Sequence, residues 1–142
     1  MEATNSLGVS AALTIILLLA GSDHAFQFWP DTYVTITDDI ARGVALTVHC
    51  KSKEDDLGAH VLRFGERYWF KFQTNWWKST LFFCRFAWRE EARWFDIFVA
   101  SRDQDTCTKC NWSIRADGPC RIGKGGKCYP WNKSASLETL KY

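Results

Sequence analysis

The sequence predicts an all-β fold, a small disulfide-stabilised β-sandwich of about seven or eight mostly antiparallel strands. After Pro30, short stretches rich in β-branched and aromatic residues are separated by turn residues and recur at intervals of roughly 10 to 12 residues. No stretch of this region has a helical periodicity of convincing length. Six cysteines among 142 residues are available for cross-links.

The first half of the domain contains four predicted strands. Gly43 and Gly65 mark two of the turns between them. In the fourth strand, Tyr68, Phe70 and Phe72 alternate with other residues, which predicts three aromatic rings on one buried face. The four predicted strands are residues 33–36, 44–50, 59–62 and 67–72.

Four further strands are predicted in the second half. Residues 81–88 (LFFCRFAW) are apolar at both alternating sets of positions, which predicts a central strand covered on both sides. Residues 116–119 (ADGP) are a strong turn signal. The predicted strands are residues 81–88, 95–100, 112–115 and 129–131, and residues 133–142 are expected to form a C-terminal tail.

Residues 1–22 are expected to be a signal peptide. Residues 11–20 (AALTIILLLA) form an uncharged apolar run followed by small residues, and the run is shorter than the about 20 residues of a membrane span. Cleavage after Ser22, or as late as Ala25, satisfies the small-residue rule. We therefore expect a secreted, extracellular protein without a membrane span, with a β-sandwich domain over residues 31–132.

The charges of the chain are nearly balanced. It has 18 Lys and Arg against 16 Asp and Glu, and residues 1–22 contain only Glu2 among these charged side chains. Cations and anions alternate along the sequence, whereas proteins that bind nucleic acid concentrate their cations on one face. Nucleic acid is therefore not an expected partner.

No catalytic, cofactor or metal site is predicted. His49 and Cys50 are neighbours on one strand, so their side chains point to opposite faces and cannot act together as base and nucleophile. Glu54, Asp55 and Asp56 have the oxygen atoms that Ca²⁺ prefers but lack the spacing of a calcium loop, which favours a solvated turn. The motif CTKC at residues 107–110 has neither a regularly spaced second ligand pair for zinc nor a following helix for redox chemistry. The expected function is binding and not catalysis.

Eight tryptophans are many for this length. Most are expected to fill the core, but Trp76 and Trp77 are adjacent, so at least one of them is expected to be exposed. Asn111 and Asn132 each begin a glycosylation sequon. Asn132 is expected to be the more accessible because it is close to the tail.

Four ordered motifs resemble the plant self-incompatibility S1 family, the S-protein homologues. They are residues 46–58 (LTVHCKSKEDDLG), 80–88 (TLFFCRFAW), 94–98 (WFDIF) and 107–114 (CTKCNWSI). The resemblance extends from about residue 33 to residue 131. It implies a secreted β-sandwich that acts as a ligand for a cell-surface receptor protein, with no enzymatic activity and no cofactor.

The resemblance also bears on the cysteines. It implies disulfides among Cys50, Cys84, Cys107 and Cys110, for which three connectivities exist. A bridge between Cys107 and Cys110 is the least expected, because its short loop is poorly placed in an extended segment. The remaining two cysteines are additional to the four-cysteine pattern of the poppy stigma proteins in this family, and their joint presence suggests a third bridge: Cys120 and Cys128.

A rigid sandwich can encode the choice of partner in its loops. We expect a monomer whose charged loops contact a receptor, in pollen–pistil self-recognition and rejection of self pollen or in another tissue. The alternative is an apoplastic carbohydrate-binding or defence protein, which the tryptophans, the mild positive charge and the disulfides favour. The candidate recognition residues are Glu54, Asp55, Asp56, Glu90, Glu91, Arg102, Asp103 and Asp105.

Overall fold

The computed structural model describes residues 30–133. Eight strands form two four-stranded sheets, sheet A with the order β4-β1-β7-β8 and sheet B with the order β3-β2-β5-β6. Neighbouring strands are antiparallel except for β1 and β7, which are parallel. The predicted all-β sandwich is confirmed. The elements are β1 (Thr32–Asp38), β2 (Leu46–Lys51), β3 (Asp56–Leu62), β4 (Arg67–Phe72), β5 (Leu81–Trp88), β6 (Glu91–Val99), α1 (Ala100–Asp103), β7 (Lys109–Arg115) and β8 (Gly118–Ile122).

The core consists of the inward-pointing side chains of the two sheets. In β1, buried residues alternate strictly with half-buried ones, so Val34 and Ile36 point inward. Trp112 of β7, together with Val48 and Phe86 of sheet B, is fully or almost fully buried in the same cluster. Each such side chain contributes roughly 1.5 to 3 kcal/mol by leaving water. Alternation along the strands therefore explains most of the stability of the sandwich.

Strand β5 has the predicted bounds but not the predicted surroundings. Its burial alternates, with Phe82, Cys84 and Phe86 buried and Arg85 exposed. The prediction that both faces are covered is wrong, because each sheet of a two-layer sandwich packs on one side only. Phe83 and Ala87 lie on the outer face and are half-buried.

The last strand of sheet A is β8, which was not predicted because its first two residues, Gly118 and Pro119, were assigned to the turn at residues 116–119. Pro119 is tolerated because β8 is at the edge of the sheet. The predicted strand at residues 129–131 does not form. This segment instead packs on the sandwich, where the Trp131 indole nitrogen donates to the backbone oxygen of Ala116 at 3.1 Å.

Other predicted boundaries shift by a few residues. Strand β3 begins at Asp56 and β6 begins at Glu91, so both acidic residues are in strands and not in loops. The one-turn helix α1 occupies the segment after β6 where a loop was expected. No helix in residues 30–133 is long and apolar enough to cross a membrane. The expected signal peptide, and the tail from residue 134 onward, lie outside the described residues.

Candidate recognition surface

The strand registers place three irregular segments at one end of the sandwich. In sheet A, Thr32 at the start of β1 pairs with Phe72 at the end of β4. In sheet B, Lys51 at the end of β2 pairs with both Asp56 and Phe83. Residues 52–55, 73–80 and 100–108 leave the sheets at this end, and we call these three segments the recognition end. Residues 123–127, after β8, also leave sheet A at this end. The connections at residues 39–45, 63–66, 89–90 and 116–117 are at the opposite end.

Two exposed tryptophans project from the recognition end. Trp76 is 74% exposed and Trp77 is 82% exposed. The sequence predicted that at least one of the pair is exposed, and both are. Adjacent exposed aromatic side chains form an apolar patch, and such patches often mark interaction sites.

Hydrogen bonds hold the loop that carries these tryptophans. The side-chain amide of Asn75 donates to the Ser79 hydroxyl at 2.8 Å, and the Ser79 backbone N–H donates back to the Asn75 side-chain oxygen at 3.0 Å. The backbone N–H of Asn75 donates to the Thr80 hydroxyl at 3.1 Å. The residues on both sides of the tryptophan pair are therefore bonded to each other. Sequence reasoning missed their role, although Asn and Ser around an aromatic pair are a turn signal.

A polar depression of about 660 Å³ lies beside this loop. Its charged lining comes from Lys53, Glu54 and Asp55. Its apolar part is formed by Phe72, Leu81 and Phe82. Hydroxyl and amide groups complete the lining, so the depression offers both donors and acceptors to a ligand. These groups belong to Ser52, Gln73, Asn75, Ser79 and Thr80.

An ion pair ties two segments of the recognition end together. The Lys78 ammonium is 2.9 Å from a carboxylate oxygen of Asp105, which lies just after α1. Both side chains are more than half exposed, so the pair contributes only about 0 to 1 kcal/mol. Asp105 is therefore accessible to a partner, as the sequence predicts.

Asp103 was expected to contact a partner, and this prediction is wrong because the residue is fully buried. Its carboxylate accepts hydrogen bonds from Arg102 at 2.7 and 2.8 Å and from Arg121 at 2.8 Å. It also accepts one from the Val99 backbone N–H at 2.9 Å. A buried carboxylate with four donors is a structural group.

Arg102 is likewise mostly buried, and its expected role in recognition is also wrong. Its guanidinium carbon lies about 5 Å from the ring centroids of Phe95, Trp112 and Tyr129. It also donates to the backbone oxygen of Asp96 at 2.8 Å. Three aromatic faces, together with the Asp103 carboxylate that it shares with Arg121, thus stabilise this cation inside the fold.

The remaining predicted loop carboxylates are divided between the two ends. Glu54 and Asp55 are exposed at the recognition end. Glu90 and Glu91 are exposed at the opposite end, so one partner surface cannot include all four residues. Glu91 in addition forms an ion pair of 2.8 Å with Arg93.

Asp56 is held by its neighbours. Its carboxylate accepts a hydrogen bond from the Gly58 backbone N–H at 2.9 Å and lies 2.5 Å from the His49 ring nitrogen. The Gly58 hydrogen bond is the largest cause that lowers the pKa of Asp56 below its ordinary value, and the His49 hydrogen bond is the second. No group of three or more potential metal ligands lies together within residues 30–133.

The cysteines form three disulfides: Cys50–Cys84, Cys107–Cys110 and Cys120–Cys128. The pairing of Cys107 with Cys110 corrects our expectation that this bridge is the least favoured. The chain bends at Thr108 before β7 begins, and the Cys107 backbone N–H still donates to the Asp103 oxygen of α1. The bend brings the two Cα atoms to 5.4 Å, inside the range of disulfides.

The accessibility of the two sequons is the reverse of the expected order. Asn111 is exposed on the outer face of β7, whereas Asn132 is half-buried. The Asn132 backbone N–H donates to the Trp94 oxygen at 2.9 Å, which holds this segment along β6. Glycosylation at either residue stays a prediction.

Comparison with known proteins identifies the family. Residues 33–131 match the family described as plant self-incompatibility protein S1. S-protein homolog 5 of Arabidopsis thaliana is 53% identical over 125 residues, which is 87% of this chain and 97% of that protein. S-protein homolog 29 of the same species is 42% identical over 133 residues, which is 90% of this chain and 98% of that protein.

A solved structure has a similar fold. It is described as that of self-incompatibility protein homologue proteins, a widespread family of small, highly stable, secreted proteins from plants. Its TM-score to this chain is 0.56 at 16% identity, with 75% of this chain and 98% of that chain covered. With the matched region spanning the whole sandwich, the chain belongs to the plant self-incompatibility protein S1 family, the S-protein homologues.

Proposed function

We propose that the mature chain is a secreted, monomeric recognition ligand that binds a protein on a cell surface through its recognition end. The expected signal peptide supports secretion, and so does the description of the similar solved structure as that of secreted proteins. Pairing of all six cysteines fits an oxidising compartment. In this proposal the chain acts by binding to its partner.

The observation that carries this proposal is the exposure of Trp76 and Trp77 on a loop held in place by hydrogen bonds. Tryptophan is enriched among the residues that dominate binding energy at protein interfaces. A loop already held in one conformation loses little entropy on binding. The exposed carboxylates Glu54, Asp55 and Asp105 around it supply charge complementarity, which selects among partners.

The test is binding of the labelled mature protein to isolated plasma membranes, which carry surface proteins without cell wall. The double variant Trp76→Ala/Trp77→Ala is expected to bind at least about tenfold more weakly, as for interface hot spots. The matched control is Trp69→Ala, which removes an exposed tryptophan from the outer face of sheet A. Equal loss in both variants would show that the recognition end is not the binding surface.

One setting for such a ligand is self-recognition between pollen and pistil, with the receptor on pollen and rejection of self pollen as the response. The refolded mature protein is added to pollen of several genotypes from the source plant, and tube growth and cytosolic calcium are recorded. Arrest of some genotypes and not others supports this role. Uniform growth of pollen tubes of all genotypes contradicts this role and indicates a partner in another tissue.

A second candidate function is binding of cell-wall carbohydrate in the apoplast, including a defence role. The depression beside Trp76 and Trp77 is lined by amide, hydroxyl and carboxylate groups, the donors and acceptors that a sugar needs. Titration with neutral cell-wall glycans separates the two candidates. Binding at millimolar concentration or tighter that is lost in Trp76→Ala/Trp77→Ala favours the carbohydrate.

A further inference from the structure

The outer face of sheet A gathers cations that are far apart in sequence. Side chains alternate between the two faces of a strand, so the outward positions of β4, β1, β7 and β8 form one surface. Four of these positions are exposed cations: Arg67 and Lys71 of β4, and Lys109 and Arg115 of β7. None of the outward positions of these four strands is a carboxylate. We call the surface formed by these four residues the cationic face.

The cations are neither adjacent to one another nor neutralised. Lys71 and Lys109 both pair with Tyr33 of β1, from opposite sides, so their Cα atoms are about 10 Å apart, which is two strand spacings. None of the four cations forms an ion pair within the part of the chain that the structure describes. Arg115 donates to the Ser113 hydroxyl at 3.2 Å, and this hydroxyl donates to Asp39 at 2.5 Å.

Aromatic rings and polar groups lie between the cations. Trp69 is 59% exposed, and its ring centroid is 6.1 Å from that of Tyr33. In register, Trp69 pairs with Thr35, and Thr35 pairs with Asn111. A depression of about 490 Å³ on this face is lined by Thr35, Asn111 and Arg67, and at one side by Asp39, whose carboxylate accepts the Ser113 hydrogen bond. The face therefore combines positive charge, a flat ring and hydrogen-bonding groups.

We propose that the cationic face binds an acidic polysaccharide, a polyuronate whose carboxylates contact the cations and whose sugar rings stack on Trp69. Charge complementarity selects an anion. The distance between the cations selects a polymer with repeated charges, because a single small anion contacts only one of them. The exposed ring selects a polymer with flat apolar faces between its charges.

Two other polyanions fit less well. Single-stranded nucleic acid also combines charge with stacking, but the three disulfides belong to a compartment separate from nucleic acid. The negative membrane surface that attracts basic segments is that of the cytoplasmic leaflet, on the other side of the membrane from a secreted protein. The inference uses a different surface from the recognition end, so the two proposals can fail separately.

The experiment is a binding titration with polygalacturonate by calorimetry or biolayer interferometry. The natural chain is expected to bind, and more weakly as salt is raised, because exposed charges are screened. Lys71→Gln/Lys109→Gln is expected to weaken binding by about 3- to 30-fold, as for the loss of two exposed charge pairs. The matched control is Arg89→Gln/Lys133→Gln, which removes two exposed charges outside the cationic face and outside the depression at the recognition end, and it should leave the affinity unchanged.

Two ligands and one further variant test the class of partner. Methyl-esterified polygalacturonate, which lacks free carboxylates, should not bind. Polyglutamate, which has carboxylates but no rings, should bind more weakly than polygalacturonate, and Trp69→Ala should abolish this difference. Circular dichroism and thermal unfolding establish that each variant is folded, as expected for substitutions of exposed residues.

Several outcomes would overturn the proposal. If Lys71→Gln/Lys109→Gln binds polygalacturonate with unchanged affinity, the cationic face does not bind this polymer. Equal affinity for polyglutamate and polygalacturonate would reduce the interaction to non-specific charge. Tighter binding to phosphatidylserine vesicles or to a single-stranded oligonucleotide would assign the face to a membrane or to nucleic acid.

Discussion

The buried carboxylate of Asp103 accepts a hydrogen bond of 2.8 Å from the guanidinium of Arg121, which is itself buried. Asp103 belongs to α1, directly after β6 of sheet B, and Arg121 belongs to β8 of sheet A. The pair therefore links the two sheets, and Arg102 joins it from the same helix. The residues that resemble a charged recognition loop in sequence are a buried cross-link in the fold.

We expect Asp103→Asn to destabilise the protein by about 3 to 5 kcal/mol, because it leaves buried guanidinium charge without a counter-ion. Equilibrium unfolding in urea measures this change in free energy. The matched control is Asp105→Asn, where the side chain is mostly exposed and the change should stay below about 1 kcal/mol. Similar small effects in both variants would show that the buried network does not stabilise the fold.

The three disulfides are expected to differ in their contribution to stability. They close loops with sequence separations of 34, 8 and 3 residues for Cys50–Cys84, Cys120–Cys128 and Cys107–Cys110. By loop-closure entropy, replacement of each pair by alanines should cost about 4, 2.5 and 1.5 kcal/mol respectively. Urea midpoints of the three double variants test this order. A larger loss for Cys107–Cys110 than for Cys50–Cys84 would contradict the entropic explanation.

Asp38 is expected to make stability depend on pH. Burial is the largest cause that raises the pKa of this carboxyl above its ordinary value of 3.8, and the Ile40 backbone N–H opposes it. The folded state thus holds the proton more tightly than the unfolded state. The stability that protonated Asp38 contributes is fully present below the pKa of this carboxyl in the unfolded state. It is lost as the pH rises through the pKa of this carboxyl in the folded state.

The Asp38→Asn variant isolates this effect, because asparagine is neutral at every pH. The free energy of unfolding of the variant relative to the natural chain should rise from about pH 4 upward and then level off. Urea unfolding between about pH 3.5 and 7.5 measures the difference. Asp56→Asn is the control, and its pH dependence should have the opposite sign. The pKa of Asp56 is lowered in the folded state, so the stability that the ionised carboxylate contributes is lost as the pH falls. If the difference in free energy of unfolding between Asp38→Asn and the natural chain does not change with pH, the prediction is wrong.

Tryptophans of this chain should fall into two classes. Trp77→Ala is expected to change stability by less than about 0.5 kcal/mol, because the side chain is exposed. Trp112→Ala is expected to cost about 3 to 5 kcal/mol, because this ring is in the core and contacts Phe95 and Tyr129. Thermal unfolding of the two variants gives the comparison. Comparable losses would show that the tryptophan loop is part of the folding unit.

Sequence pattern alone predicted the sandwich, most strands and the exposure of one of the two adjacent tryptophans. Alternation at residues 67–72 and the apolar run at residues 81–88 predicted both strands with their observed bounds, because both patterns depend on neighbours along the chain. The ordered cysteine and aromatic motifs indicated the family. The turn signal of Gly118 and Pro119 concealed β8, because the tolerance of a sheet edge for proline is visible only once the strand order is known.

The tertiary structure alone decided which charges are buried, which are exposed and which lie together. Asp103 and Asp105 are two positions apart, yet one is enclosed by Arg102 and Arg121 and the other faces solvent. The four cations of the cationic face come from two strands, each of which has two cations among its outward positions. They meet because β4 and β7 both pair with β1, and such long-range pairing leaves no trace in the local sequence.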